Sequence, residues 1–314
     1  MKSISWRSRA TVQPILQELW RASRTKGRFV SGTSSLEAML SGARTDNKKN
    51  VPPALANWLV VLDEFICLLT ELYIAYFEAA IDRRGKKTDI ARVTRMLLIG
   101  TVAADCYAIR LLVVSGYDVN AKQTARLMSE YVDVLILLLH RPDLYGEFHG
   151  AQDPSEANKF WHRYISKGKL RRQIRSLTNK KFMFSEKEIA QAERWEAEEM
   201  LILSAASHPS LIAAFMTVAH GGAHRKAGSG LFGNVDAGSI RTVSYCIHRL
   251  SELLLFADTD LLDFGELKPN ESNRAFVRGI FQRYRFVLRL MAFVTSSKGR
   301  RLLNRSRTPS RAKK

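Results

Sequence analysis

Apolar residues along this chain recur at intervals of three and four, a period that predicts helices nearly throughout. Pro52-Pro53 opens a helix expected over 54–82. Thr88 with Asp89 caps a second long helix that runs to Gly116, a residue suited to a helix C-terminus. A third spans about Val119 to His140 and stops before Pro142. Its Val134–Leu139 are consecutive apolar residues, so that half is expected to be buried on every side. Asp153-Pro154-Ser155-Glu156 starts a helix carrying Phe160, Trp161 and Tyr164, followed by the basic stretch Lys167–Arg175. Ser185 with Glu188 matches a capping box and opens a helix reaching Ala206. A short apolar helix begins at Pro209 and ends at Gly221-Gly222, another covers about Ser239–Asp260, and the last ends near Ser296. Residues 221–238 hold six of the eighteen glycines and form the one long loop. Period-two alternation and fixed-length repeats are both absent from the pattern. The expectation is an all-α protein: a bundle of long helices with one Gly-rich loop and basic terminal segments.

Charge changes that picture by its placement. The 49 Lys and Arg against 30 Asp and Glu give a net charge of +19 over 314 residues. Residues 1–50 carry ten basic and three acidic residues, net +7, and 298–314 carry eight basic residues and no acid, net +8. The body, 51–297, is left with 31 basic and 27 acidic residues, net +4. Three divisions follow: a basic N-terminal helix with a polar linker over 1–50, a helical bundle over 51–297, and a disordered basic tail over 298–314. Arg300, Arg301, Arg305, Arg307 and Arg311 of that tail are candidates for sequence-independent contact with phosphate, on RNA or DNA or on an anionic membrane surface. The first 30 residues are rich in Arg and Ser, as in a transit peptide, but lack the apolar run of a secretory signal. A cytoplasmic location is expected. The most apolar stretch, Leu55–Ile81, is interrupted by Asp63, Glu64, Glu71 and Glu78, so no membrane span is expected there. Cys67, Cys106 and Cys246 each sit in an apolar helical stretch and read as small buried hydrophobes.

Candidate chemistry is sparse. Gly228-Ser229-Gly230-Leu231-Phe232-Gly233 fits G-x-G-x-x-G but lies between helices, where a flexible connector is the better reading than a nucleotide site. His220 and His224 have metal-ligand spacing, yet Gly221-Gly222 between them breaks the helix; no metal and no cofactor is assigned. Glu64, Glu71 and Glu78, seven apart, form a stripe that reads as a solvated face or as a docking strip for a protein partner. Arg241, His248 and Glu252 share one face of the penultimate helix. There a guanidinium holding phosphate beside an imidazole titrating near neutrality would suit phosphoryl chemistry. Asp105, Arg110, Arg126, Glu130 and His208 form a second candidate group. Asp105 lies in an apolar run, and Arg126 with Glu130 is an i,i+4 pair before the buried half of its helix. They read as a buried register-fixing network or as a polar pocket completed by His208.

Thr124-Ala125-Arg126-Leu127-Met128-Ser129-Glu130, then Asp153-Pro154 with Ala157 and Phe160, then Leu203-Ser204 and Ser207-His208-Pro209-Ser210, resemble a bacterial all-helical family of unknown function. Its members carry an R-x-x-x-E helix and a later L-S…H-P-S segment; the likeness covers about residues 95–225. Such families are compared with HEPN-type domains. That resemblance implies a small helical bundle, frequently a homodimer, acting as a ribonuclease toxin or nucleotide-binding partner in bacterial conflict systems, with an Arg–His pair at its site. Arg241 and His248 depart from the HEPN pattern, since Thr242 stands where Asn usually follows the Arg and the gap is at its permitted maximum. Three functions are therefore carried forward: nucleic-acid contact through basic ends, a metal-independent ribonuclease at Arg241 and His248, and a helical scaffold.

Overall fold

The computed structural model describes residues 45–81, 89–166, 168–182, 185–208, 211–218, 235, 238–257 and 274–304; helices and no strand occur among them. The helices are α1 (Pro53–Ile81), α2 (Ile90–Val114), α3 (Asp118–His140), α4 (Tyr145–Gly150), α5 (Pro154–Phe160), α6 (Lys169–Phe182), α7 (Glu186–Ser207), α8 (Leu211–Val218), α9 (Ser239–Ala257), α10 (Arg274–Thr295) and α11 (Ser297–Leu303). The all-α expectation holds. The 1–44 segment, His220 and His224, Gly228 to Gly233, and Arg305, Arg307 and Arg311 lie outside the described residues.

Four long helices close a ring: α1 packs on α2, α2 on α3, α3 on α9, and α9 back on α1. Asp89 caps α2 by accepting from the Ala91 and Arg92 backbone N–H groups. The α2–α3 turn is a Schellman closure: Gly116 takes φ of 82°, its N–H reaches the Val113 carbonyl, and the Tyr117 N–H reaches that of Leu112. That tight turn makes α2 and α3 antiparallel, and α1 with α2 likewise, since Tyr73 meets Gly100 and Asp63 meets Arg110. The fourth helix arrives by a long crossover and runs parallel to α3, pairing Thr242 with Asp118 and Arg249 with Asp133. Val134 through Leu139 are all buried at the centre, as their unbroken apolar run requires.

A second layer lies on the α9 side. α7 packs on α3 and runs antiparallel to α9, with Glu199 at Arg241 and Trp195 at His248. α10 packs antiparallel on α1, where Arg283 donates to both Glu64 (2.7 Å) and Glu71 (2.8 Å). The acidic stripe of α1 is thus an internal docking strip at Glu64 and Glu71, taken by this chain's own α10. Residues 297–303 are also ordered, against the expectation of a tail from 298: Ser296 caps α11, Leu303 is buried, and Trp58 donates to Asn304 at 3.0 Å. Cys106 and Cys246 are buried, but Cys67 faces outward on α1, which corrects the reading of all three as core.

α2 meets the length and composition of a membrane-crossing helix, with a mean hydropathy of 1.9, so the expectation drawn from Leu55–Ile81 overlooked it. Core helices share those properties. Here Leu98, Ile99, Val102, Cys106, Ile109 and Val113 pack inside the ring, and Ile90, Leu97, Tyr107 and Leu111 remain exposed.

Candidate functional site

The long crossover brings α6 and α7 back onto the bundle, where Leu170, Ile174 and Leu203 are buried and a set of charges pairs across the contact. Asp133, in the middle of the apolar half of α3, is almost fully buried, and two guanidiniums converge on it: Arg249 from α9 and Arg171 from α6, the latter at 2.8 Å. Arg249, also buried, reaches Glu252 one turn on, and Arg171 reaches Glu196 of α7. Ser129 accepts from both Arg171 (2.7 Å) and the Tyr245 hydroxyl (2.8 Å). Arg175 extends the system to Glu193 and Glu196. Burial raises the Asp133 pKa, opposed by Arg249 and Arg171. A second buried unit joins Asp118, Lys122 and Thr242. These two clusters clamp the parallel α3–α9 pair in register, because a one-turn slip would strand buried charges without partners.

A cleft of about 560 Å3 opens beside the first cluster. Its floor is α9, with Ile247, His248 and Ser251; one wall is α7 with Trp195, and the other is the end of α10 and Arg300 of α11, with Trp58 of α1 below. The Trp195 ring stands edge-on to His248 at 4.3 Å and stacks on Tyr245 at 6.0 Å. His248 Nε2 lies 3.3 Å from Glu252 Oε1. Its pKa is pushed down to about 4, first by desolvation against Trp195 and the network behind it, then by the charge of Arg249.

The structure brings together some of the residues singled out from the sequence and separates others. His248 and Glu252 are in contact, as their spacing requires. Arg241 is two turns away and engages Glu199 through its Nε, at 2.8 and 3.1 Å. The arginine bonded to Glu252 is Arg249 instead. With an imidazole held neutral at physiological pH and Arg241 committed to Glu199, the phosphate-holding and proton-donating roles are not assembled on this face. Arg300, expected in a solvated tail, lines the same cleft as His248; Arg301 is exposed on α11 and donates to the Ser297 carbonyl.

The second group does not form a buried network. Arg126 and Glu130 make a surface pair at 3.6 Å, Arg110 pairs with Asp63 rather than Asp105, and His208 is exposed at the C-cap of α7. Asp105 makes no ion pair among the described residues; its Oδ2 is buried without a hydrogen-bond partner there and its pKa is raised by desolvation. The register-fixing role falls to Asp133 and Asp118, which lie on the next helix. Among the described residues no group of three or more His, Cys, Asp or Glu could hold a metal ion.

A basic face overlooked in the sequence lies on α10. Arg274, Arg278, Arg285 and Arg289 fall at spacings of four, seven and four, on one stripe opposite the buried Val277, Ile280, Tyr284 and Val287. All four are exposed and make no ion pair with any described residue. Phe281, Phe286 and Phe293 are exposed among and beside them. From residue 274 to the end of the sequence there are thirteen basic residues and no acidic one. The sequence carries a signal for it: the basic, acid-free stretch begins at the five arginines of α10 and not at residue 298.

No family model, no curated protein and no solved structure matches this chain, so the HEPN-like resemblance gains no support from them.

Proposed function

We propose that this chain contacts single-stranded nucleic acid, without sequence preference, through the outer face of α10 continued by α11. The observation that carries this reading is the α10 stripe of four arginines, unpaired among the described residues, interleaved with exposed phenylalanines. Guanidiniums without acidic partners attract a phosphate backbone, and exposed phenyl rings offer stacking platforms that any base satisfies. The stripe from Arg274 to Arg289 covers about 22 Å along the helix, long enough to follow several phosphates of one strand. Rigid presentation distinguishes it from a loose basic segment, because the opposite face of α10 is fixed on α1 by Arg283 with Glu64 and Glu71.

Anisotropy titration of a labelled oligonucleotide over a salt series tests the reading. Four phosphate contacts predict a slope of log K against log salt of about −2.8, and Arg278→Gln with Arg285→Gln and Arg289→Gln should flatten it to about −0.7. Phe281→Ala with Phe286→Ala should weaken single strands by at least tenfold and leave duplex binding nearly unchanged. An unaltered slope in the triple arginine variant refutes the reading. Binding of the wild type to anionic vesicles but not to oligonucleotides would reassign the face to a lipid surface.

A further inference from the structure

The cleft over α9 is within the size range of small-molecule sites, and its lining is chemically specific. Ser251 donates its hydroxyl proton to the Ile247 carbonyl at 2.7 Å, and Ser244 donates to that of Arg241 at 3.0 Å. Each hydroxyl has one proton, so both present only lone pairs to the cleft. The carboxylate of Glu252, 3.3 Å from Nε2 of His248, favours the tautomer with the ring proton on Nε2, which leaves Nδ1 as an acceptor. The low pKa of that ring keeps it in the accepting form. The floor therefore offers acceptors and calls for N–H donors. Trp195, half-buried, provides a flat wall. At the rim, Arg300 is held in place by donating through Nε (3.2 Å) and Nη2 (2.8 Å) to the Thr295 carbonyl, and it calls for an anion. The one carboxylate of the lining, Glu188, is already engaged by the Ser185 N–H and hydroxyl.

We propose that this cleft binds a 6-aminopurine nucleotide, its ring against Trp195, the two protons of its exocyclic amino group donated to Nδ1 of His248 and the hydroxyl oxygen of Ser251, and its phosphate on Arg300. A flat ring, a donor edge and an anion on one molecule satisfy the three demands of the lining together. A bicyclic purine covers an indole face better than a pyrimidine does, and a nucleoside monophosphate fits within about 560 Å3. The ligand is either a free nucleotide or the terminal nucleotide of a strand.

Calorimetric titration of the full chain with AMP and with IMP tests the assignment, since IMP replaces the amino donor by a carbonyl acceptor facing the same lone pairs. AMP should bind saturably and IMP at least tenfold more weakly, the cost of opposing acceptors in a desolvated site. Arg300→Gln should weaken AMP at least fivefold and leave adenosine unchanged. Ala192→Trp, exposed at the rim, should block the cleft and abolish AMP binding while thermal unfolding stays as in the wild type. Displacement of AMP by a 5′-phosphorylated oligoadenylate assigns the site to a strand end, and simultaneous binding of both assigns it to the free nucleotide. The variant lacking Arg278, Arg285 and Arg289 should keep full AMP affinity, so loss of the α10 reading would leave the cleft untouched. No AMP binding at millimolar concentration, equal affinity for AMP and IMP, or wild-type AMP binding by Ala192→Trp overturns the proposal.

Discussion

Replacing Asp133 by Leu should be among the most destabilising single changes in this protein. Its side chain is 2% exposed and is the shared acceptor of Arg249, itself 3% exposed, and of Arg171, 20% exposed. Removing it leaves two buried guanidiniums facing an isobutyl group. Breaking a buried pair by deleting one partner costs about 3–5 kcal/mol. Arg249 retains Glu252 and Arg171 retains Glu196, so the lower end of that range, about 3 kcal/mol, is the expected loss. For a bundle of this size that is a fall in Tm of roughly 6–12 °C. Asp133→Leu combined with Arg249→Met removes the charge and its chief partner together, and should recover all but about 1 kcal/mol of wild-type stability. The coupling between the two sites is then about 2 kcal/mol plus the cost of Arg249→Met alone, so about 2 kcal/mol is its lower bound. Urea unfolding followed by helical circular dichroism, with the slope held common to all variants, measures each corner of the cycle. The exposed pair serves as control: Glu130→Gln opposite Arg126 should change stability by less than about 0.5 kcal/mol. A loss below about 1 kcal/mol for Asp133→Leu, or strict additivity in the double variant, would refute the view that this cluster holds α3, α6 and α9 in register.

Three further outcomes follow from local geometry. A Cβ at Gly299 would collide with the Phe293 carbonyl, which is backbone and cannot move aside, so Gly299→Ala should undock α11 at a cost of about 1–3 kcal/mol; limited proteolysis should then cleave between 296 and 304. His248 titrates lower in the folded state than unfolded, so the unfolded chain takes up the proton first. The contribution is intact above about pH 6.5 and is lost as pH falls toward about 4. Its slope stays well under about 1.4 kcal/mol per pH unit, because nearly half of the side chain (48%) is open to solvent. Glu252, Glu196, Glu199, Arg249 and Arg171 surround the ring, and His248→Gln should remove only this component from urea midpoints compared between pH 6.5 and 5. Arg283→Met should cost less than about 1 kcal/mol at low ionic strength, since its pairs with Glu64 and Glu71 are about one-third exposed, and the difference should vanish in molar salt.

The helices were legible because their ends are marked by local chemistry: Asp89, Asp153 and the Ser185–Glu188 box cap where their sequence pattern indicates, and Gly116 adopts the positive φ that ends α2. Burial of Val134–Leu139 was legible for the same reason, since an all-apolar turn leaves no solvent face. Partnership was not. Arg249 and Arg241 both sit on α9, and only the packing of α3 and α7 against it decides which one meets Asp133 and which meets Glu199. Asp105 and Asp133 look alike in sequence, each an acid inside an apolar run, yet Asp133 faces two arginines across the bundle and Asp105 pairs with none among the described residues. The cleft joins side chains from five helices, α1, α7, α9, α10 and α11, and no periodicity within any one of them signals the others.

The charge excess of +19 acquires meaning from that distinction between paired and unpaired cations. Arg110, Arg171, Arg175, Arg241, Arg249 and Arg283 each answer a carboxylate on a neighbouring helix, so they specify which helices meet and leave little field outside. Arg274, Arg278, Arg285 and Arg289 answer none among the described residues, on a helix whose other face is already fixed to α1. Four like charges along one face repel one another and stabilise nothing within the fold. A helix needing only solubility would satisfy that with mixed charges, and it would not set phenylalanines among them, where exposed rings favour association. The combination is costly for an isolated molecule and is offset when an anionic partner that also accepts exposed rings lies along it. Nucleic acid supplies both properties in one polymer, which is why the α10 face, rather than the total charge, supports the functional reading.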